Sequence, residues 1–334
     1  MWSNFYVLIV ATMLIWAATA TVATYLFKQG LKAEEVVLVD ILFAFVGLLV
    51  LTLASPERRR SLGRYRPALV PRLVLLSLMG IVAYNYLMYR AYASDASDVT
   101  PYAIINYMWP LTTIVFGVII LRERPTAYTW IGAGVGLLGF ALIQFGKSFA
   151  APAVQEAWCS GDTGGVSRAL VEVTFGDVTA AGCLVALAAA LLWGLFGPLA
   201  RRWSDRYRFD PLSSMMLYCG IGAAVALAAW GYRVRWGLIF GRWDLVLALA
   251  WLGTMAHGTG NVLWLRTIEV GGAGRTGVVA YLTPVLALVY LAVFHRQVPS
   301  WYSGLGLALI IAGIALVETH RRHRGGARPK AVEG

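Results

Sequence analysis

Polar and aromatic residues stand at regular intervals inside otherwise apolar stretches of this sequence, and their types suit holding a small molecule better than making or breaking bonds. Asn85 and Tyr89 are spaced i, i+4 with Tyr86 beside them, and His257, Asn261 and Trp264 follow at i, i+4 and i+7. On an α-helix each set shares one face. Amide, hydroxyl and imidazole groups so placed donate and accept hydrogen bonds. The rings hold an apolar or aromatic body by stacking, or a cation over their faces. A third group surrounds two prolines: Asn106, Tyr107 and Trp109 precede Pro110, and Tyr281 precedes Pro284. Proline within a helix removes a donor and frees the carbonyl one turn earlier, here near Asn106 and Ala280. Each site therefore predicts a kink with an acceptor for an ammonium or hydroxyl group. Asn and Tyr also serve plain hydrogen bonding between packed helices, so a pocket and ordinary packing are both open at this point.

Two ionisable side chains lie within apolar stretches. His257 is well inside one, where it serves either as a proton carrier or as a neutral hydrogen-bonding group. Asp40, six residues into another, carries either a coupling proton or an ordinary interfacial contact with Lys28 or Lys32. No cofactor, metal or enzyme chemistry is expected. Cys159, Cys183 and Cys219 are too scattered for a metal site or a disulfide framework. Gly134, Gly136 and Gly139 spell GxGxxG, yet they sit in an apolar run with no soluble strand before it, so close helix packing is the better reading. The sequence has no P-loop, HExxH or GxSxG motif, the signatures of ATP-driven pumping and of the commoner hydrolases.

The elements that must position these residues follow from composition. Of 334 residues 59% are apolar and 13% charged, with 13 tryptophans; no soluble core hides so much apolar surface. Apolar runs long enough for a ~30 Å hydrocarbon layer recur at about 5–27, 35–53, 69–91, 100–121, 127–146, 177–200, 211–230, 244–265, 275–295 and 300–319. The net charge of +11 is spread over short loops, which reads as a topology signal and not as a nucleic-acid surface. Arg-rich loops after Leu53, Leu121, Ala200 and Leu265, with the basic tail, place both termini in the cytoplasm. Arg233, Arg235 and Arg242 fall on the opposite side from that rule.

The chain is also duplicated. Pro110 to Pro284 and Pro125 to Pro299 are both steps of 174 residues, and Trp16 finds a counterpart in Trp193. Five spans per copy, an odd number, make the copies inverted, with a binding site between them. The expected architecture is an all-α integral membrane protein of ten transmembrane helices, built as two inverted five-helix repeats around a central cavity. The first repeat covers 1–146, an extracytoplasmic linker 147–176, the second repeat 177–319, and a basic cytoplasmic tail 320–334.

Trp16-Ala17 and Trp193-Gly194, the prolines at 110 and 284, and the turn Arg122-Glu123-Arg124-Pro125 together give the chain a family likeness. It resembles the drug/metabolite transporter superfamily and, within it, the EamA-type ten-helix exporters. The run Asn106-Tyr107-Met108-Trp109-Pro110 is similar to that of the bacterial aromatic amino-acid exporters. The second copy departs from the pattern with His295-Arg296-Gln297, where an acidic residue is usual. The resemblance implies a monomeric inner-membrane protein exporting amino acids or related metabolites, aromatic ones foremost, by alternating access. Rival readings are efflux of quaternary amines and other drugs through the same aromatic walls, and a membrane-embedded flippase or enzyme for lipid headgroups.

Overall fold

The structure, a computed structural model, describes residues 4–94, 105–149, 151–175, 180–295 and 301–326; within these the chain is helical, with no strand. The helices run α1 (Phe5–Lys28), α2 (Ala33–Leu53), α3 (Val70–Leu76), α4 (Tyr84–Ser94), α5 (Trp109–Leu121), α6 (Ala127–Phe149), α7 (Pro152–Cys159) and α8 (Thr163–Phe175). They continue as α9 (Ala180–Tyr207), α10 (Pro211–Trp230), α11 (Trp243–Trp251), α12 (Asn261–Gly271), α13 (Ala273–Ala280), α14 (Leu282–His295) and α15 (Trp301–Gly326). Among the described residues six helical rods are long and apolar enough to cross a membrane: Phe5–Lys28, Ala33–Leu53, Pro67–Arg90, Ala181–Tyr207, Pro211–Arg233 and Trp301–Arg322. The apolar helices Trp109–Leu121 and Ala127–Ile143 are shorter. Local signals set several boundaries. The Asn4 side chain accepts from the Tyr6 N–H at 2.9 Å to start α1, and Gly30, at φ +82°, makes the turn into α2. Asp210 accepts from the Ser213 N–H at 2.9 Å, with Pro211 in the first turn of α10, where its missing N–H costs nothing.

Two rods contain a feature that apolar periodicity does not reveal. α3 and α4 are joined by a π-helical stretch, Ser77–Ala83, and α11 and α12 by another, Leu252–Gly260. The Thr259 hydroxyl bonds the carbonyl of Thr254, five residues back, as the wider π turn allows. Such turns are rare and cluster at functional sites. These two stand at matching places in the duplicated halves, near one register step apart.

The packing follows the duplication. α2 lies on the second π stretch, and α10 lies on the first; α1 lies on α14, and α5 on α9; α6 lies on α15. Each contact joins the two halves; the first four form exchanged twins, and α6 on α15 joins the equivalent closing helices, as two-fold pseudo-symmetry requires. One expectation changes. The prolines do not kink continuous helices. Ile105 and Asn106 form a helical end, Tyr107 and Met108 a turn, and α5 starts at Trp109 with Pro110 in its first turn. Likewise the chain breaks at Tyr281, and Pro284 lies in the first turn of α14. The proline thus starts a new helix where it would otherwise strain one. Residues 147–176 hold the two helices α7 and α8, packed on each other, and the start of the basic tail continues α15 to Gly326. The turn residues Arg296, Gln297 and Pro299 lie outside the described residues.

Candidate functional site

At the centre four tryptophans meet, two from each half. Trp16 of α1 lies 5.9 Å from Trp109 of α5, 5.6 Å from Trp193 of α9 and 5.4 Å from Trp264 of α12, centroid to centroid. Trp109 and Trp264 meet edge to face at 5.2 Å. These separations are those of aromatic rings in contact, so the walls expected around an open cavity touch one another. The centre is closed on itself. Small residues allow this approach: a Cβ at Gly197 would lie 3.2 Å from the Trp264 Nε1, and one at Gly260 only 2.7 Å from that of Trp16. Tyr84 stacks on Trp193 at 4.6 Å and Phe196 stacks on its other neighbour side at 5.2 Å. Sequence reasoning passed over both, because neither carries a pattern distinguishing it from ordinary apolar filling.

Beside this cluster is a buried polar group that also bridges the halves. The Asp40 carboxylate on α2 is fully buried, with Oδ2 at 3.0 Å from Nδ1 of His257 in the second π stretch. The Tyr89 hydroxyl of α4 donates to the same oxygen at 3.4 Å. Nδ1 and Oδ1 have no other hydrogen-bond partner among the described residues. Among the described residues Asp40 makes no ion pair with Lys28 or Lys32: its partners come from helices that the fold brings over it.

The remaining sequence-selected residues divide. Asn85 is buried and its Nδ2 donates to the Ile81 carbonyl of its own helix at 2.8 Å. Tyr86 does not join the site; it stacks on Trp230 at 4.8 Å, one residue round the helix from Asn85. Tyr107 stacks on Phe140 at 4.1 Å and packs with Tyr281 in a separate apolar cluster with α6 and α15. His257 contacts Asp40 while Trp264 contacts Trp16 and Trp109. The Ala280 carbonyl is taken by the Thr283 hydroxyl at 2.9 Å, so Pro284 leaves no free acceptor there. Several selected polar atoms are nonetheless buried with no hydrogen-bond partner among the described residues: Asn85 Oδ1, Asn106 Oδ1, Asn261 Nδ2, Trp264 Nε1 and the Tyr281 hydroxyl. Orphans of this kind are costly and uncommon in folded proteins.

Charged contacts close the two ends. At one end the Arg-rich loops meet: Arg202 donates to the Ile120 carbonyl at 2.8 Å, Arg64 to that of Arg208 at 2.7 Å, and Arg201 lies 3.6 Å from Glu269. Glu123, following α5, accepts from the backbone N–H groups of Ala273 and Gly274 at 2.7 and 2.9 Å, capping α13 of the other half. At the opposite end buried Glu35 accepts from the guanidinium of Arg235 at 2.8 Å and from its backbone at 3.1 Å. Arg242 pairs with Asp244 at 2.6 Å. Arg235 and Arg242, which ran against the charge rule, are thus held by structural partners.

A multi-pass helical bundle in which two duplicated halves enclose buried aromatic and ionisable groups is the architecture of a membrane transporter. The family model for EamA-like transporters matches residues 4–145 and 180–319, and the chain belongs to that family, within the drug/metabolite transporter superfamily. A relative named aromatic amino acid exporter YddG, from Ancylobacter novellus, is 24% identical over 218 residues, 64% of this chain and 64% of that protein. The uncharacterized transporter YdfC of Bacillus subtilis is 21% identical over 289 residues, covering 86% of this chain and 82% of its own length. Solute carrier family 35 member G1 of Homo sapiens is 21% identical over 72% of this chain and 60% of that one. A solved crystal structure superposes with a TM-score of 0.73 over 96% of this chain and 99% of its own at 19% identity. It shares the fold.

Proposed function

We propose that this protein exports amino acids or related small metabolites, aromatic amino acids foremost, across the bacterial inner membrane by alternating access, with both termini cytoplasmic. The observation that carries this reading is the four-tryptophan cluster, to which each half contributes two rings. When the halves rock apart, rings now packed on one another become walls that stack on an aromatic side chain. The orphaned amide and indole groups nearby suit the polar end of such a substrate. The likeness to a named aromatic amino acid exporter supports the same substrate class.

The test is uptake of radiolabelled phenylalanine and tryptophan into liposomes holding the purified protein, with threonine and tetraethylammonium as comparators. Saturable aromatic uptake that Trp109→Ala lowers at least tenfold, and Tyr86→Phe leaves unchanged, supports the reading. Transport of threonine alone, or full activity in Trp109→Ala, overturns it. Asp40 favours one second reading, since a carboxylate buried in the membrane suits an organic cation. Uptake of tetraethylammonium in preference to the amino acids would establish that alternative.

A further inference from the structure

Resting on that reading, we infer that Asp40 and His257 form a single-proton site whose loading closes the transporter, making the export cycle an exchange of one proton for one substrate molecule. Three observations carry this. The pair joins α2 of the first half to the π stretch of the second, so a relative movement of the halves alters its separation. Fold packing does not require it. In the exchanged twin contact, between α10 and the first π stretch, uncharged Ser77 donates to the Tyr218 carbonyl at 2.6 Å. And the pair is wired to the aromatic centre: Trp16, which touches the other three tryptophans, donates its indole N–H at 3.2 Å to the carbonyl of Ala256, next to His257.

Charge balance gives the direction. Loaded, the pair is carboxylate plus imidazolium, net neutral, and tolerable in a site without water; unloaded, it is a carboxylate beside a neutral ring, a buried net charge that is costly until water reaches it. The closed arrangement, with rings packed on rings, therefore belongs to the loaded form. Substrate must part those rings, and parting them pulls on Ala256 and exposes the pair. The proton then leaves an imidazole nitrogen for water, and no other bond is made or broken. Proton and substrate exclude one another, as antiport needs. The other titratable groups facing the pair are Tyr89, which donates to Asp40, and buried Cys219 on α10. Tyr25 of α1 and Asp244 of α11 bond one another instead. The site takes up one proton, since the further carboxylate on α11, Asp244, is held by Tyr25 and Arg242.

Two measurements test this. The first needs no substrate: hydrogen exchange along 252–264, corrected for the intrinsic pH dependence of exchange, in the full-length protein. Wild type is expected to lose protection at least tenfold as pH rises from 5 to 9, while Asp40→Asn and His257→Gln stay flat. A flat wild-type profile overturns the inference, even if a variant fails to fold. The second uses liposomes with the membrane potential clamped by valinomycin and potassium. A one-unit pH gradient is expected to drive about tenfold accumulation of phenylalanine at 1:1 exchange, falling to equilibration in His257→Gln. Phenylalanine uptake indifferent to the gradient leaves the exporter reading standing and overturns the proton site. Gradient-driven uptake of tetraethylammonium alone does the reverse.

Discussion

Glu35 has 1% of its side chain exposed while its partner Arg235 has 44%, so the two partners are not interchangeable. Removing the guanidinium leaves a buried carboxylate with only the backbone N–H groups of Lys32 and Arg235. Removing the charge on Glu35 leaves an arginine free to turn to water. Arg235→Ala is therefore expected to cost about 3 kcal/mol and Glu35→Gln about 1 kcal/mol, read as thermal unfolding of the detergent-solubilised protein. Equal losses would mean that the pair is solvated and that its burial does not matter. The same asymmetry limits what can be read from residue types. Asp40, His257 and the tryptophans stand out because polar or bulky aromatic side chains are conspicuous in an apolar run. Their partners do not, since Asp40 meets His257, and Trp16 meets Trp109, Trp193 and Trp264, only when helices from both halves are laid together. Tyr86 shows the other side of this: one step round the helix from Asn85, its ring stacks on Trp230.

Helices carry their own rules, and the GxGxxG run in α6 shows one. A Cβ added at Gly139 would lie 2.5 Å from the Gly306 carbonyl of α15, and one at Gly132 would lie 2.7 Å from that of Gly313. At Gly134 nothing stands within 4 Å. Gly139→Ala must therefore push two backbones apart and is expected to destabilise by about 1–3 kcal/mol. Gly134→Ala is expected to stabilise by about 0.5–1 kcal/mol through helix propensity alone. Thermal unfolding of the two variants side by side decides it, and a shift of the same sign in both would refute close packing as the role of these glycines. The packing role of this run was legible in the sequence from small residues in an apolar context. The π stretches were not, because a turn widened by one residue leaves the apolar pattern of a buried helix unbroken. The chain break at Tyr107 was half legible: Pro110 marks the place, yet whether proline bends a helix or begins one depends on the turn before it.

At the scale of the whole molecule, duplication organises the contacts, and its exceptions mark where the halves are controlled. The 174-residue step predicts the paired packing of α2 with the second π stretch and α10 with the first, because twin sequences make twin surfaces. It does not predict Glu123, whose carboxylate reaches across to the first turn of α13 beyond Gly272, a glycine at φ +78°. A carboxylate at a helix N-terminus satisfies donors that are otherwise unpaired and favours the helix dipole. Here the helix belongs to one half and the cap to the other, so a parting of the halves at the Arg-rich end would break the bond. Glu123→Ala removes about 1 kcal/mol of capping and should raise hydrogen exchange at Ala273–Thr276 about fivefold. The proposed alternating access adds a requirement that capping alone does not. With the native cysteines replaced, a cysteine at Thr276, buried in this structure, should react faster with a membrane-impermeant maleimide applied from the Arg-rich side in Glu123→Ala than in its parent. Faster exchange without faster labelling would reduce Glu123 to a helix cap. Both together would make it the latch of that gate, balanced against Glu35 and Arg235 at the other end, so that loosening one end shifts the equilibrium toward opening there.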